Sequence, residues 1–305
     1  MKEGAKFYGG VETGGTFCAC AIGRRPDEIV AETRFPTADP QKTISQIIDF
    51  FRAHAGEHPI VSLGIGSFGP VDLDPNSPTY GYVTRTPKPD WDHVDLCGPI
   101  GQKLKVNVVF DTDVNAAAFG EYHWGVGRDA TFEGDPLDPL LYVTVGTGIG
   151  VGAVVNERPL HGLVHPEAGH MLLPHDRALD PFEGSCPFHQ DCWEGLASGA
   201  AIEKRHGMRG ETLPPDHPAW KLEAFYLGLG LANLMYSLSP RLIVVGGGVM
   251  RQPGLLGRVR SVTASVVGDY LLPDGPMRDM QQLIVQPGLG SRSGVLGALA
   301  LAMRH

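Results

Sequence analysis

Apolar residues along this chain fall into short runs broken by glycines and polar turns, with helical spacing in only a few stretches. From Lys6, FYGGVETGGTFCACAIG reads as two apolar strands around a Gly-Gly turn, and IVAETRFP (29–36) as a third strand. PQKTISQIIDFFRAHAG then sets Ile44, Ile47, Ile48 and Phe51 three and four residues apart, which predicts an amphipathic helix. IVSLGIGSFGP (60–70) reads as a buried strand entering a glycine-rich loop, and VNVVFD (106–111) as another strand. Residues 71–99, rich in Pro, Asp and Thr, read as a long loop, and loops of that length in compact domains are usually functional.

The pattern restarts at Leu140. LLYVTVGTGIGVGAVV repeats the build of GGVETGGTFCACAI, apolar strand, Gly/Thr turn, apolar strand, so two related lobes are expected. PAWKLEAFYLGLGLANLMYSLS (218–239) predicts a long apolar helix, RLIVVGGGVM (241–250) a strand ending in three glycines, and SRSGVLGALALAM (291–303) a last apolar helix. Strands alternating with helices, with glycines at strand ends, indicate an α/β protein whose ligand lies near those ends.

Composition narrows the function classes. A length of 305 residues suits two lobes. With 25 Lys plus Arg against 34 Asp plus Glu, the net charge is −9, the wrong sign for coating a phosphate backbone, so no nucleic-acid partner is expected. MKEGAKFYGG has no apolar leader region and no later run is long and apolar enough for a bilayer, so the reading is cytoplasmic with no membrane partner. Five cysteines, an odd count with only Cys186 and Cys192 among polar ligand types, argue against a disulfide framework.

Glu12-Thr13-Gly14-Gly15-Thr16 and Gly146-Thr147-Gly148 are turns in which glycines let the backbone approach a bulky anion while threonine hydroxyls add uncharged donors. Either alone is also what an ordinary glycine hairpin looks like; two of them opening two similar lobes favour phosphate cradling. Glu12 stands where a P-loop carries Lys-Ser/Thr, which excludes Walker chemistry and points to Mg²⁺ held through water. In DTDVNAAAFGE (111–121), Asp113 falls at a strand end entering a small-residue helix, where a carboxylate serves either as a helix cap or as general base for a hydroxyl attacking a phosphoryl group. His170, Cys186, His189 and Cys192 offer two imidazoles and two thiolates, a closed set suited to tetrahedral structural Zn²⁺ and spaced unlike a ββα finger. Glu167 and Glu194 flank that loop and are natural acceptors for sugar hydroxyls.

GGVETGGTF (9–17), IGSFGPVD (65–72), TPKPDW (86–91), DTDVNAAAFGE (111–121), VTVGTGIGVG (143–152), HPEAGHM (165–171), GSCPFHQDCWEGLASG (184–199) and VVGGGVM (244–250) together resemble the ROK family of sugar kinases and repressors, and within it the bacterial fructokinase branch. The resemblance covers nearly the whole chain. It implies a two-lobed actin-like, ribonuclease-H-like (hexokinase-type) α/β fold with duplicated lobes, residues 1–115 plus 290–305 forming a smaller lobe and 116–289 a larger one carrying the zinc loop. It implies phosphorylation of D-fructose to fructose 6-phosphate by ATP and Mg²⁺ in a cytoplasmic homodimer. Asp113 looks like the base for the sugar 6-hydroxyl, and Gly14, Gly15, Thr16, Gly146, Thr147 and Gly148 look like the phosphate cradles. Gly246, Gly247 and Gly248 resemble the adenosine-side loop. Glu167, His170 and Glu194 fall where the family contacts sugar or organises that contact, and His170, Cys186, His189 and Cys192 match the zinc set. Pro87, Lys88 and Trp91 are expected over the sugar.

Some positions depart from the family pattern. Thr112 stands where the glucokinase branch has Asn, and Cys-Pro-Phe-His where that branch is richer in cysteine; both point to fructokinase. Many relatives carry Asp where this chain has Glu12, and Lys where it has Phe17. The rival readings are a glucokinase, mannokinase or N-acetylhexosamine kinase of the same family, and a non-catalytic sugar-binding regulator. The last is disfavoured because the first lobe strand begins by about Phe7, leaving no room for a helix-turn-helix.

Overall fold

The computed structural model describes residues 6–132, 134–268, 270–271 and 279–304; the first five residues, read above for a leader, lie outside these. In chain order the strands and helices are β1 (Phe7–Thr13), β2 (Phe17–Gly23), β3 (Ile29–Pro36), α1 (Pro40–His54), β4 (Ile60–Ser67), β5 (Tyr82–Val83), β6 (Val94–Asp95), α2 (Cys97–Leu104), β7 (Asn107–Thr112) and α3 (Asp113–His123). Then follow β8 (Thr131–Phe132), β9 (Asp135–Pro136), β10 (Leu140–Val145), β11 (Ile149–Val155), β12 (Arg158–Pro159), α4 (Trp193–Ala197), α5 (Gly199–His206) and α6 (Ala219–Leu238). The chain closes with β13 (Leu242–Gly246), α7 (Leu255–Val267), α8 (Met280–Leu283), β14 (Ile284–Val285) and α9 (Ser293–Ala302).

Two five-stranded sheets run β3-β2-β1-β4-β7 and β12-β11-β10-β13-β14. Counted from its own first strand, each has the order third, second, first, fourth, fifth, so the weak sequence repeat at Leu140 is a repeat of topology. In the first sheet β1 pairs antiparallel with β2 and parallel with β4, and β4 pairs parallel with β7. In the second, β10, β13 and β14 are parallel.

The chain divides into two compact units, 1–129 with 152–166 and 288–305, and 130–151 with 167–287. All of α3 falls in the first, where the sequence reading split the lobes at residue 115.

In the first unit one face of the sheet packs on α1. Asp39 caps this helix by accepting from Lys42 N at 2.9 Å, Pro40 starts it, and Ile47, Ile48 and Phe51 are buried against Val11, Leu63 and Ile65. The other face packs on α9. Every residue of α9 is buried, as expected of a helix apolar all round, and Val295, Leu296 and Leu299 cluster with Ala21. A Cβ at Gly10 or Gly64 would run into the α9 backbone, so these glycines set how close sheet and helix come. In the second unit β10 and β13 are buried almost throughout, and α6 packs on α7. Among the described residues no helix is long and apolar enough to cross a membrane.

Candidate active site and metal centre

Register builds the first part of the site. Thr13 of β1 pairs with Ser67 of β4, and Ser67 with Thr112 of β7, so three parallel strands end level. Gly14 and Asp113 follow directly, two strand spacings or about 10 Å apart. This is the carboxyl edge at which α/β sheets bind ligands. Asp113 opens α3 but does not cap it: Thr112 Oγ1 accepts from Asn115 N at 3.0 Å. The Asp113 carboxyl is thereby released from capping, and its Oδ1 accepts from the adjacent Val114 N, 2.8 Å away. Desolvation lifts its pKa from 3.8 to about 6, with backbone N–H groups opposing.

Glu12 lies on the same strand face as Gly10 and meets the start of α9, where Val295 N–H donates to it and Gly294 leaves room for its carboxyl. Burial first, then the charge of Asp113, raise its pKa from 4.5 to about 7, against the pull of Arg34. Two raised carboxyls at one strand edge are an oxygen donor set that suits a hard cation such as Mg²⁺. The Arg34 guanidinium covers the Phe17 ring at 4.3 Å.

The intervening loop departs from expectation. Trp91 is fully buried in the core, edge-on to Phe68 at 5.1 Å, with its Nε1 donating to Ala38 O at 2.9 Å, so its indole anchors the loop. Lys88 reaches the first glycine turn and donates to Gly15 O at 2.7 Å.

Three polar groups in the first unit escaped the sequence reading. Buried Asp111 bonds His161 Nε2 at 2.9 Å and Asn115 Nδ2 at 2.8 Å, and this hydrogen bond raises the His161 pKa. Asn115 Oδ1 in turn accepts from Ala153 N at 3.1 Å. Glu121, fully buried, accepts from Gly288 N, Leu289 N and Val126 N at 3.0 to 3.1 Å and from Ser293 Oγ at 2.6 Å, which latches the start of α9. Asp111, Asn115 and Glu121 all lie within DTDVNAAAFGE, the one signal that singled them out.

In the second unit, the Gly146-Thr147-Gly148 turn joins β10 to β11, and its carbonyls are tied to the start of α5. Gly146 O accepts from Gly199 N at 2.7 Å and Thr147 O from Ala200 N at 3.4 Å. Glu194 Oε2 accepts from Ile149 N at 3.0 Å, and a Cβ at Gly148 would collide with that oxygen. Glu194 therefore stands at this turn. Gly246 is in register with Thr144, so the Gly246-Gly247-Gly248 loop leaves the sheet at the same end. Gly247 has φ of +98°, and a Cβ there would meet the Val145 carbonyl, so only glycine fits.

The ligand atoms of His170, Cys186, His189 and Cys192 all lie within 4.8 Å of one another. His170 Nδ1 is 3.5 Å from Cys192 Sγ and 3.7 Å from Cys186 Sγ, and His189 Nδ1 is 3.7 Å from Cys186 Sγ. Tetrahedral Zn²⁺ with ordinary Zn–S and Zn–N bonds sets such S···N separations at about 3.5 Å. The four groups therefore fit the metal, with no position left over. His170 faces Cys192 with Nδ1, while its Nε2 lies 4.0 Å from exposed Glu167 Oε2, so one ring can serve a metal and organise a carboxylate. Burial lifts the Cys192 thiol to about 12, so metal capture must displace its proton. The loop is also held by bonds that do not involve these four ligands. His175 bonds Asp191 Oδ2 at 3.0 Å and Asp180 O at 2.9 Å, and Asp180 Oδ2 accepts from Tyr226 at 2.8 Å and Arg205 at 3.2 Å.

The sequence matches the ROK family over residues 8–305. It is 41% identical over 303 residues to the fructokinase of Streptococcus mutans, covering 98% of each chain. It is 41% identical over 310 residues to the fructokinase of Zymomonas mobilis, covering 99% of this chain and 98% of the other. A ROK family glucokinase from Streptomyces griseus, solved in complex with glucose and AMPPNP, superposes with a TM-score of 0.75 at 25% identity, covering 98% of this chain and 100% of the other.

Proposed function

The chain belongs to the ROK family, and from that premise we propose that it transfers the γ-phosphoryl group of ATP to the 6-hydroxyl of a hexose, D-fructose in the first place. The observation that carries the reading is Asp113, released from capping by Thr112 and set beside the first glycine turn at the ends of parallel strands. At pH 7 a carboxyl with a pKa of about 6 is mostly ionised yet basic enough to take a proton in the transition state. Asp113 accepts the hydroxyl proton as the sugar oxygen bonds to the γ-phosphorus and the bond to the departing ADP breaks. Preference for fructose over glucose is supported by 41% identity to two fructokinases against 25% to the glucokinase.

The remaining residues take supporting parts. Gly14, Gly15 and Thr16 serve as one phosphate-binding turn, Gly146, Thr147 and Gly148 as another, and Gly246, Gly247 and Gly248 serve the adenosine. Glu12 would hold Mg²⁺, which neutralises phosphate charge. His170, Cys186, His189 and Cys192 would hold Zn²⁺, which braces the loop and leaves Glu167, Glu194 and the outer face of His170 to the hexose. Exposed Phe225, Tyr236, Val266 and Tyr270 on and beside α6 and α7 support a homodimer through that face. Five free, buried cysteines support a reducing, cytoplasmic setting. ADP release with ATP·Mg²⁺ over fructose, glucose, mannose and N-acetylhexosamines tests the assignment: fructose is expected to react best. Another hexose reacting in its place would move the chain to another branch, and none reacting would return it to the regulators.

A further inference from the structure

All three carbonyls of the first glycine turn are taken by donors from outside it. Gly14 O accepts from Thr37 Oγ1 at 2.7 Å, Thr16 O from Thr37 N at 2.9 Å, and Gly15 O from Lys88 Nζ at 2.7 Å. Engaging those oxygens covers the groups that would repel a phosphate. Gly15 is exposed and nothing lies within 4 Å of where its Cβ would stand, so an anion can approach the turn.

Lys88 is placed there by the fold. Trp91, three residues on, is locked in the core, and its N–H donates to Lys88 O at 3.2 Å. The Lys88 ammonium lies 5.8 Å from the centroid of Phe68, the residue that follows Ser67 on the strand between β1 and β7. Its position is therefore over the same edge that carries the turn and Asp113. Among the described residues no carboxylate pairs with it; its partner is a neutral carbonyl. Partial burial lowers its pKa, and reduced hydration strengthens its pull on an anion.

Resting on the kinase reading above, we propose that Lys88 is the cation of the first phosphate cradle, exchanging the Gly15 carbonyl for an oxygen of the transferring γ-phosphoryl group. As the sugar oxygen bonds to phosphorus and the bond to ADP breaks, Lys88 neutralises the charge spread over the equatorial oxygens, and the proton goes to Asp113. Its part is then with the phosphate, where the family resemblance placed it over the sugar.

The test compares Lys88→Met and Lys88→Arg with the wild-type chain in fructose phosphorylation and in direct binding of inorganic tripolyphosphate and of AMP by calorimetry. Loss of one charge-assisted contact predicts for Lys88→Met a kcat lower by about 10- to 100-fold and tripolyphosphate binding weaker by about tenfold or more. The KM for fructose, the affinity for AMP and the melting temperature are expected to stay put, and Lys88→Arg to recover most of the kcat. An unchanged kcat, unchanged tripolyphosphate affinity, or a raised fructose KM at constant kcat would each overturn the assignment. Wild-type protein that phosphorylates no hexose would sink the kinase reading instead, and the tripolyphosphate arm would still report on Lys88.

Discussion

His170 turns Nδ1 toward Cys192 Sγ, 3.5 Å away, and keeps Nε2 on the side of Glu167. A proposed metal ligand and a candidate sugar-contact carboxylate thus meet in one ring, so a metal bound there would act on the sugar through geometry. Freshly purified protein should carry a single zinc per chain. Chelation should raise the KM for fructose about tenfold, the worth of one or two polar contacts, and largely keep turnover at saturating sugar. Because His175, Asp180, Arg205 and Tyr226 hold part of the loop without the metal, hydrogen exchange after chelation should rise near residues 168–171 and 184–192 and stay low at 175–180. Zinc-free protein with full sugar affinity would contradict this.

The pH profile follows from Asp113. Below its pKa of about 6 it is protonated and cannot accept the hydroxyl proton, so kcat/KM should fall as pH drops through about 6 and level off above it. A limb near the ordinary carboxylate value of 3.8 would mean that the base is solvated or lies elsewhere.

Glu12 and Asp113 also tie stability to pH. Their folded pKa values, about 7 and about 6, exceed the ordinary 4.5 and 3.8, so the folded state binds more protons than the unfolded one across that interval. The stability linked to those protons is fully present below the ordinary values of 4.5 and 3.8 and is lost as pH rises from there through about 6 to 7. Glu12→Gln should therefore raise the urea midpoint of cation-free protein at pH 8 and change it little at pH 5. An equal shift at both values would refute the linkage.

Glu121 accepts from three amides and the Ser293 hydroxyl inside the first unit. Glu121→Ala strands these donors and should cost about 3 kcal/mol or more in urea unfolding, a large share of a domain's stability. Ser293→Ala, which removes one of the four partners, should cost less.

Much of this arrangement is legible in the chain. Both hairpins, β3, α1, β4, β7, α6 and α9 follow from apolar spacing, and the repeat at Leu140 marks the duplicated sheet order. The four Cys and His groups that could hold a metal, and Asp113 at its strand end, stand out because their residue types mark them in the sequence. What stays hidden depends on weak propensities, on one-residue boundaries or on distant partners. α2 contains Gly98, Pro99 and Gly101, poor helix formers, and its start is fixed by Asp95 accepting from Gly98 N at 2.8 Å. Thr112 rather than Asp113 as the cap turns on a one-residue boundary. Trp91, in a proline-rich loop, is expected over the sugar, yet it is buried against Phe68 with its Nε1 donating to Ala38 O, and Lys88, three residues before it, reaches Gly15 O.

The most direct measurement is single-turnover phosphorylation of fructose by Asp113→Asn, with fructose and AMPPNP binding measured on the same protein. If Asp113 takes the hydroxyl proton, the rate should fall about 10²- to 10⁴-fold while both ligands bind nearly as before. A rate close to wild type would contradict the account.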